Sequence, residues 1–175
     1  GRLNACGLDL SNEQRLASLS SALLAGARQR LTAAPLLGCD PVSTNPAAPV
    51  LNPADHRDTV GHVQESSEAD VDNALRCALD SASAWRSTPP AERAAALAKA
   101  ADLMEQRMQQ LLGVLIREAG KSYANAIAEV REAVDFLRFY GAEVRDNFHN
   151  DTHVPLGPLV CISPWNFPLA IFTGQ

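Results

Sequence analysis

Apolar residues recur at steps of three and four over much of the chain, which is the spacing of amphipathic helices. We predict that the first helix starts after Ser11, its N-cap, with Gln14 completing a capping box. One face of this helix is apolar as far as residue 31, so it must pack on another element, either in its own domain or in a preceding one. That face consists of Leu16, Leu19, Leu23, Ala27 and Leu31.

A proline-rich segment interrupts the helical pattern. Residues 35–53 contain five prolines and one glycine, which is too many for regular structure, and we predict a linker at 35–49. Two short stretches with β character follow at 50–51 and 59–64, on either side of the sequence Asn-Pro-Ala-Asp. This arrangement predicts a β-hairpin.

Three more helices are predicted downstream. Ser67 and Asp70 are spaced to cap the first, and Pro89-Pro90 suit the start of the second, whose first N–H groups have no partner within the helix. Gly120 is a stop for the second helix, and the third runs from residue 122 to about residue 144. Their apolar faces are Val71, Leu75, Ala78, Ala82 and Trp85; Leu97, Ala101, Met104, Met108, Leu111 and Leu115; and Ile127, Val130, Val134, Leu137, Tyr140 and Val144.

The other face of the last long helix is charged. Arg131 with Asp135, and Asp135 with Arg138, have the spacing of helical ion pairs. We therefore expect a solvated face. Glu129 and Glu132, three residues apart, could alternatively form a carboxylate pair for acid–base chemistry, but the chain shows no second set of groups to support that use.

The end of the chain has the pattern of a strand, a tight turn and a helix. An apolar run at 154–162 predicts a core strand, a turn with two prolines occupies 163–168, and an apolar helix starts near Leu169. In open α/β sheets, ligands bind where a strand ends and a helix begins, because backbone N–H groups and the helix dipole converge there.

Composition narrows the possible functions. The chain has 175 residues with 46% hydrophobic and 20% charged residues, which is ordinary for a folded domain. A net charge of −5 with scattered basic residues predicts no site for nucleic acid. No apolar run is long enough to span a membrane.

The four cysteines are widely separated. Cys6, Cys39, Cys77 and Cys161 form no CxxC motif and have no histidine at ligand spacing, so we predict neither a disulfide framework nor a metal site. Cys161 lies in the most apolar stretch and is expected to be a buried structural residue rather than a reactive thiol.

The string ISPWNFPLAIFTGQ at 162–175 resembles the cofactor and oxyanion motif of the aldehyde dehydrogenase superfamily. Stretches at 7–24, 88–121 and 125–140 are similar to the glutamate semialdehyde (pyrroline-5-carboxylate) dehydrogenase part of bifunctional proline utilization A. The resemblance covers nearly the whole chain and is weakest at 35–49. The enzymes of this family are much longer, so we expect an internal fragment.

The resemblance implies an α/β aldehyde dehydrogenase fold with a Rossmann-like cofactor domain. This chain would supply a mainly α-helical part with a short β-hairpin and one C-terminal core strand. The implied division is a helical connector at 1–34, the linker at 35–49 and a truncated cofactor-binding domain at 50–175.

The implied reaction is oxidation of L-glutamate γ-semialdehyde to L-glutamate with NAD, in a bacterial cytoplasm. A domain outside this chain would oxidise proline with FAD. The partner is a small-molecule substrate, and a homo-oligomer is expected. The family's nucleophilic cysteine and general-base glutamate lie beyond residue 175, so we expect the isolated chain to be inactive and to bind no cofactor.

Asn166 is the catalytic residue that the resemblance implies, because its side-chain amide would donate to the oxyanion formed when a thiolate attacks the aldehyde. Its alternative role is a turn asparagine that bonds to its own backbone. The residues that match cofactor contacts are Ile162, Ser163, Pro164 and Trp165.

Two residues match substrate contacts. Glu132 corresponds to a glutamate that approaches the ammonium group of the semialdehyde, and Phe167 corresponds to an aromatic residue of the aldehyde tunnel. For Phe167 and Trp165, core packing is the alternative. Two other functions also stay open, namely a generic aldehyde dehydrogenase and a non-catalytic helical interaction module.

Overall fold

A computed structural model describes residues 2–38 and 45–175. Within these ranges the chain is mainly helical with one small sheet, as predicted. The elements in order are α1 (Glu13–Gly26), β1 (Leu31–Ala33), β2 (Ala48–Asn52), β3 (Asp55–Val63), α2 (Glu68–Ser87), α3 (Pro90–Gln106), α4 (Met108–Ala119), α5 (Tyr123–Asn147) and α6 (Ala170–Gly174).

The sheet has the order β1-β3-β2. The predicted hairpin is confirmed, since β2 and β3 pair antiparallel and Asn52 faces Asp55 across the turn. The parallel pairing of β1 with β3 was not predicted. Leu31, assigned above to the first helix, lies in this strand because α1 already ends at Gly26.

The helix caps were largely predicted. Ser67 and Asp70 form the predicted capping box of α2, and Gly120 ends α4 as predicted, in the left-handed conformation with a φ of 65°. Ser122, where the last long helix was predicted to begin, is the N-cap of α5. The prediction for α1 is wrong by one residue. Its N-cap is Asn12, whose side chain accepts a hydrogen bond from the Arg15 N–H.

The core lies between α1, α3, α4 and α5. Leu19 of α1 joins the same buried cluster as Leu112 of α4 and Val130 of α5, so the apolar face of α1 packs within this domain. On α5 the predicted inward face is buried from Ile127 to Leu137, but Tyr140 is exposed.

The predicted ion pairs along α5 are not among the salt bridges of the described residues. Arg138 instead contacts Glu105 and Asp102 of α3, at 2.7 and 3.2 Å. The Arg138 guanidinium lowers the pKa of the Glu105 carboxyl. Asp135 accepts a hydrogen bond from the Ala5 N–H at 2.8 Å. These contacts between elements replace the local pairs because α3 and the amino-terminal segment cover this face of α5.

Helix α2 exposes the side chains that form its apolar stripe. Val71, Leu75 and Trp85 are exposed, whereas the two buried residues of this helix are polar, Asp70 and Asn73. Among the described residues, α2 is covered along its length by no other helix or strand. Periodicity therefore predicted the helix but not its burial.

The predicted core strand at 154–162 is wrong for the described structure. This segment has no regular structure, and Leu156, Val160 and Ile162 are 91%, 79% and 83% exposed. An apolar strand is buried only when neighbouring strands pair with it, and the described sheet lies elsewhere. Cys161 is consequently exposed, which contradicts its predicted burial.

Cys6 is free, as is Cys161. Cys77 is disulfide-bonded, which the spacing of the cysteines did not predict. Cys39 and part of the predicted linker lie outside the described residues.

No group of metal ligands occurs within 2–38 and 45–175. Over the same ranges, no helix has the length and apolar character needed to cross a membrane.

An ion pair between β3 and α4 should make stability depend on acid pH. Arg117 Nη2 lies 2.6 Å from Asp58 Oδ1, and hydrogen bonds from Arg117 and Asn52 lower the pKa of Asp58 from 3.8 to about 2. A depressed pKa in the folded state means that the stabilisation is complete above the unfolded pKa and is lost as the pH falls through about 2. We expect Asp58→Asn to flatten the decline in unfolding free energy between about pH 4 and pH 2. Urea unfolding across this range measures it, and equal slopes would contradict the assignment.

Candidate functional site

The motif at 163–168 forms a turn that leads directly into α6. The Phe167 N–H donates to the Pro164 carbonyl at 3.3 Å, and α6 begins two residues after Pro168. The predicted turn and helix are therefore confirmed, although the strand before them is not.

A buried carboxylate accepts hydrogen bonds from the N–H groups at the start of α6. Glu129 of α5 is 2% exposed, and its Oε1 accepts hydrogen bonds from the N–H groups of Leu169 at 2.9 Å and Ala170 at 3.3 Å. These N–H groups have no partner within a helix that starts at this point. The expectation that Glu129 lies on a solvated face is wrong.

Glu129 could have been recognised from its position in the sequence. It lies three residues after Ala126 and four before Ala133, and both alanines are fully buried. Residues at this spacing share a helix face. A charge on that face requires a partner, but the sequence did not reveal which residue supplies it.

The partner of Glu129 is Lys121, in the short connection between α4 and α5. Lys121 Nζ lies 2.6 Å from Glu129 Oε2, and the two side chains are 13% and 1% exposed. The contact is an ion pair without the direction of a hydrogen bond. Lys121 Nζ also donates to the Asn166 backbone carbonyl at 2.9 Å and lies 4.9 Å from the centroid of the Phe167 ring.

Helix α6 packs closely on α5. A Cβ added at Gly174 would lie 2.9 Å from the Phe136 ring, so this approach requires glycine, and Ala170 is fully buried. Pro168 and Leu169 border a small cavity of about 170 Å³ beside Leu115 of α4. The carboxyl-terminal end of the turn is thus held against the helical core.

The predicted catalytic residue is at the exposed side of this turn. The Asn166 residue is exposed, while its backbone carbonyl is held by Lys121. An exposed amide on a backbone that is held at its own carbonyl can donate to a ligand without first breaking a buried contact. Phe167 is 40% exposed, with one face beside the Lys121 ammonium.

The predicted cofactor residues form an extended and open surface. Trp165 is 88% exposed, and so its alternative role in core packing does not hold in the described structure. The Ser163 hydroxyl donates to the side chain of Gln175 at 2.9 Å, and the Gln175 amide donates to the Ile162 carbonyl at 3.2 Å. Pro164 is exposed beside them.

The structure does not bring Glu132 to the turn. Glu132 is exposed on α5 and lines a surface cavity of about 460 Å³ with Arg131, Asp135 and Phe136. Among the described residues that line this cavity, none belongs to 163–168. Phe136 is the link between the two regions, since it also contacts α6.

Comparisons with known proteins identify the family of this arrangement. A family model described as aldehyde dehydrogenase family matches residues 41–175. The bifunctional protein PutA of Escherichia coli strain K12 is 62% identical over 175 residues, which is 100% of this chain and 13% of that protein. The α-ketoglutaric semialdehyde dehydrogenase of Bacillus subtilis strain 168 is 40% identical over 134 residues, covering 70% of this chain and 28% of the relative.

Solved structures have the same fold. The structure of 1-pyrroline-5-carboxylate dehydrogenase from Thermus with bound NAD matches 99% of this chain and 36% of its own, with a TM-score of 0.85 and 31% identity. This chain therefore spans only a small part of the proteins that it matches. The expected resemblance is confirmed: because the family model covers most of its length, the chain belongs to the aldehyde dehydrogenase family.

Proposed function

We propose that this chain is part of an enzyme that oxidises L-glutamate γ-semialdehyde to L-glutamate with NAD. The observation that carries the proposal is the 62% identity to a PutA protein along the entire chain. A generic aldehyde dehydrogenase would share the PWNFP motif and the helices within the family match at 41–175, whereas the identity to PutA also includes the amino-terminal block before residue 41. The non-catalytic alternative has no observation in its favour.

Asn166 supplies one hydrogen-bond donor to the oxyanion in this proposal. Its exposed side-chain amide projects from a turn whose carbonyl is already bound by Lys121. A donor that is in place before the reaction stabilises developing charge with little reorganisation. Phe167, next to it, presents the free part of its ring to the aldehyde chain.

Ile162, Ser163, Pro164 and Trp165 form one wall of the NAD site in this proposal. Their open backbone and apolar side chains fit a planar ring system and its ribose, whereas their polar groups are few and already engaged by Gln175. NAD, when bound, accepts the hydride of the substrate. One wall is not a complete site, and we expect the isolated chain to bind NAD weakly or not at all.

We also propose three properties of the complete enzyme and of this chain. We place proline oxidation with FAD in another domain of the complete enzyme, and we expect a cytoplasmic homo-oligomer. We divide the chain into a helical connector at 1–34, a linker at 35–49 and a truncated cofactor-binding domain at 50–175. Helix α1 of the connector packs into the buried cluster of that domain.

Substrate choice tests the proposal in the complete enzyme that contains this sequence. α-Ketoglutaric semialdehyde is the sharpest competitor, because a relative at 40% identity is named for it and it lacks the ammonium group. We expect kcat/KM to favour glutamate semialdehyde by at least about 10-fold, the effect of one charge-assisted contact. A preference for the keto substrate would refute the assignment.

Glu132→Gln removes a charge and keeps the shape of the side chain. If Glu132 contacts the substrate ammonium, kcat/KM for glutamate semialdehyde should fall about 10-fold while that for α-ketoglutaric semialdehyde changes little. Paired steady-state kinetics with both aldehydes gives the ratio. An equal loss for both would instead make Glu132 a structural residue of α5, and Asp72→Asn on α2 is the matched exposed control.

A further inference from the structure

The turn that carries Asn166 is held by two charged side chains from outside the motif. Lys121 binds the carbonyl of Asn166 itself, and Glu129 binds the N–H groups three and four residues later. The two side chains also pair with each other at 2.6 Å. A single ion pair therefore connects both ends of the segment 166–170.

Burial makes this connection specific. An ion pair at 13% and 1% exposure loses much of its hydration, and such pairs contribute little net stability compared with apolar residues of similar size. The pair does define a geometry, because Lys121 Nζ also binds the Asn166 carbonyl and Glu129 Oε1 binds two backbone N–H groups. Its evident effect here is on the position of the turn.

We infer that Lys121 and Glu129 are positioning residues for the Asn166 amide. The inference rests on the proposed function, in which this amide binds the oxyanion. The backbone at 166 sets the point from which the exposed Asn166 side chain projects. Lys121 holds that backbone at the Asn166 carbonyl, and Glu129 holds it three and four residues later. Displacing a catalytic group by about 1 Å can lower the rate by about 10²-fold.

A double-mutant cycle on kcat in the complete enzyme tests the inference. Lys121→Met should lower kcat by about 10-fold or more when Asn166 is present, and by less than about twofold in the Asn166→Ala background, because the group to be positioned is then missing. The same factor in both backgrounds, or no loss when Asn166 is present, would overturn it. Glu129→Gln repeats the cycle with a milder change, in case Lys121→Met folds poorly.

Arg117→Met is the control for a general loss of stability. It breaks the ion pair between Arg117 of α4 and Asp58 of β3, at a place that does not touch the turn. Any effect of this variant on kcat should be equal with and without Asn166. If Arg117→Met and Asn166→Ala were as non-additive in kcat as Lys121→Met and Asn166→Ala, the cycle would report a general loss of stability and not the position of the amide. That result would refute the inference.

Amide hydrogen exchange separates this inference from the proposed function. In Glu129→Gln, exchange at Leu169 and Ala170 should accelerate by about 10-fold, since a neutral amide oxygen replaces a charged acceptor, while Arg117→Met leaves it unchanged. If Asn166→Ala keeps wild-type kcat but exchange behaves as expected, the oxyanion role fails and the anchoring stands. Unchanged exchange in Glu129→Gln would overturn the anchoring itself.

Discussion

Asn166→Ala should lower kcat by about 10²–10³-fold in the complete enzyme, which is the loss typical of removing one oxyanion donor. The KM for NAD should change little, because the proposed cofactor contacts involve residues 162–165 instead. Folding should also be nearly unaffected, within about 0.5 kcal/mol, since the side chain is exposed. Steady-state kinetics gives kcat and the KM for NAD, and thermal unfolding gives the change in stability.

The control for this variant is Asn147→Ala, which removes an exposed asparagine at the end of α5. It should leave kcat within about twofold of wild type. If Asn166→Ala also stayed within a few-fold, the amide would be a turn residue and not an oxyanion donor. A large increase in KM for NAD without loss of kcat would place Asn166 in the cofactor site.

Glu129→Ala should lower the free energy of unfolding by about 3 kcal/mol, the loss typical of breaking a buried ion pair from one side. It leaves the Lys121 ammonium without its carboxylate and removes the acceptor for the N–H groups of Leu169 and Ala170. The damage should extend to α6, which depends on that acceptor at its start. Urea unfolding gives the free energy, and hydrogen exchange locates the loss.

Glu132→Ala is the matched control, because it lies one helical turn further along α5 and is exposed. It should change the unfolding free energy by no more than about 0.5 kcal/mol. The combination Lys121→Met with Glu129→Gln should cost less than Glu129→Ala alone, since it leaves no unpaired buried charge. Equal losses for Glu129→Ala and Glu132→Ala would mean that the pair contributes nothing to stability.

The contrast between Glu129 and Glu132 shows where sequence analysis reached its limit. Both are glutamates on one helix, and the resemblance to the family selected Glu132. In the structure, Glu129 is the residue that contacts the turn. It pairs with Lys121, which precedes α5, and accepts hydrogen bonds from the N–H groups at the start of α6. Glu129 was predicted on the solvated face. Its spacing from Ala126 and Ala133 fits a buried position, but the identity of its partners required the packed structure.

Segment 154–162 is the opposite case. Its apolar composition predicted a core strand, and the described structure leaves it exposed and without regular structure. An apolar pattern predicts that a segment can pack in a core. The segment is buried only when neighbouring strands pair with it. The apolar stripe of α2 differs from prediction for the same reason.

The sequence by itself determined the features that depend on residues close together in the chain. The cap at Ser67, the start of α5 at Ser122, the stop at Gly120 and the hairpin at Asn52 each follow from contacts within about five residues, and the PWNFP motif identified the family. Tertiary structure alone decided the pairing of β1 with β3, the contacts of Arg138 with α3 and the anchoring of Asn166 by Lys121 and Glu129. These contacts join residues 30 or more positions apart in the chain. Local spacing carries no information about such distances, because they are set by how the helices pack.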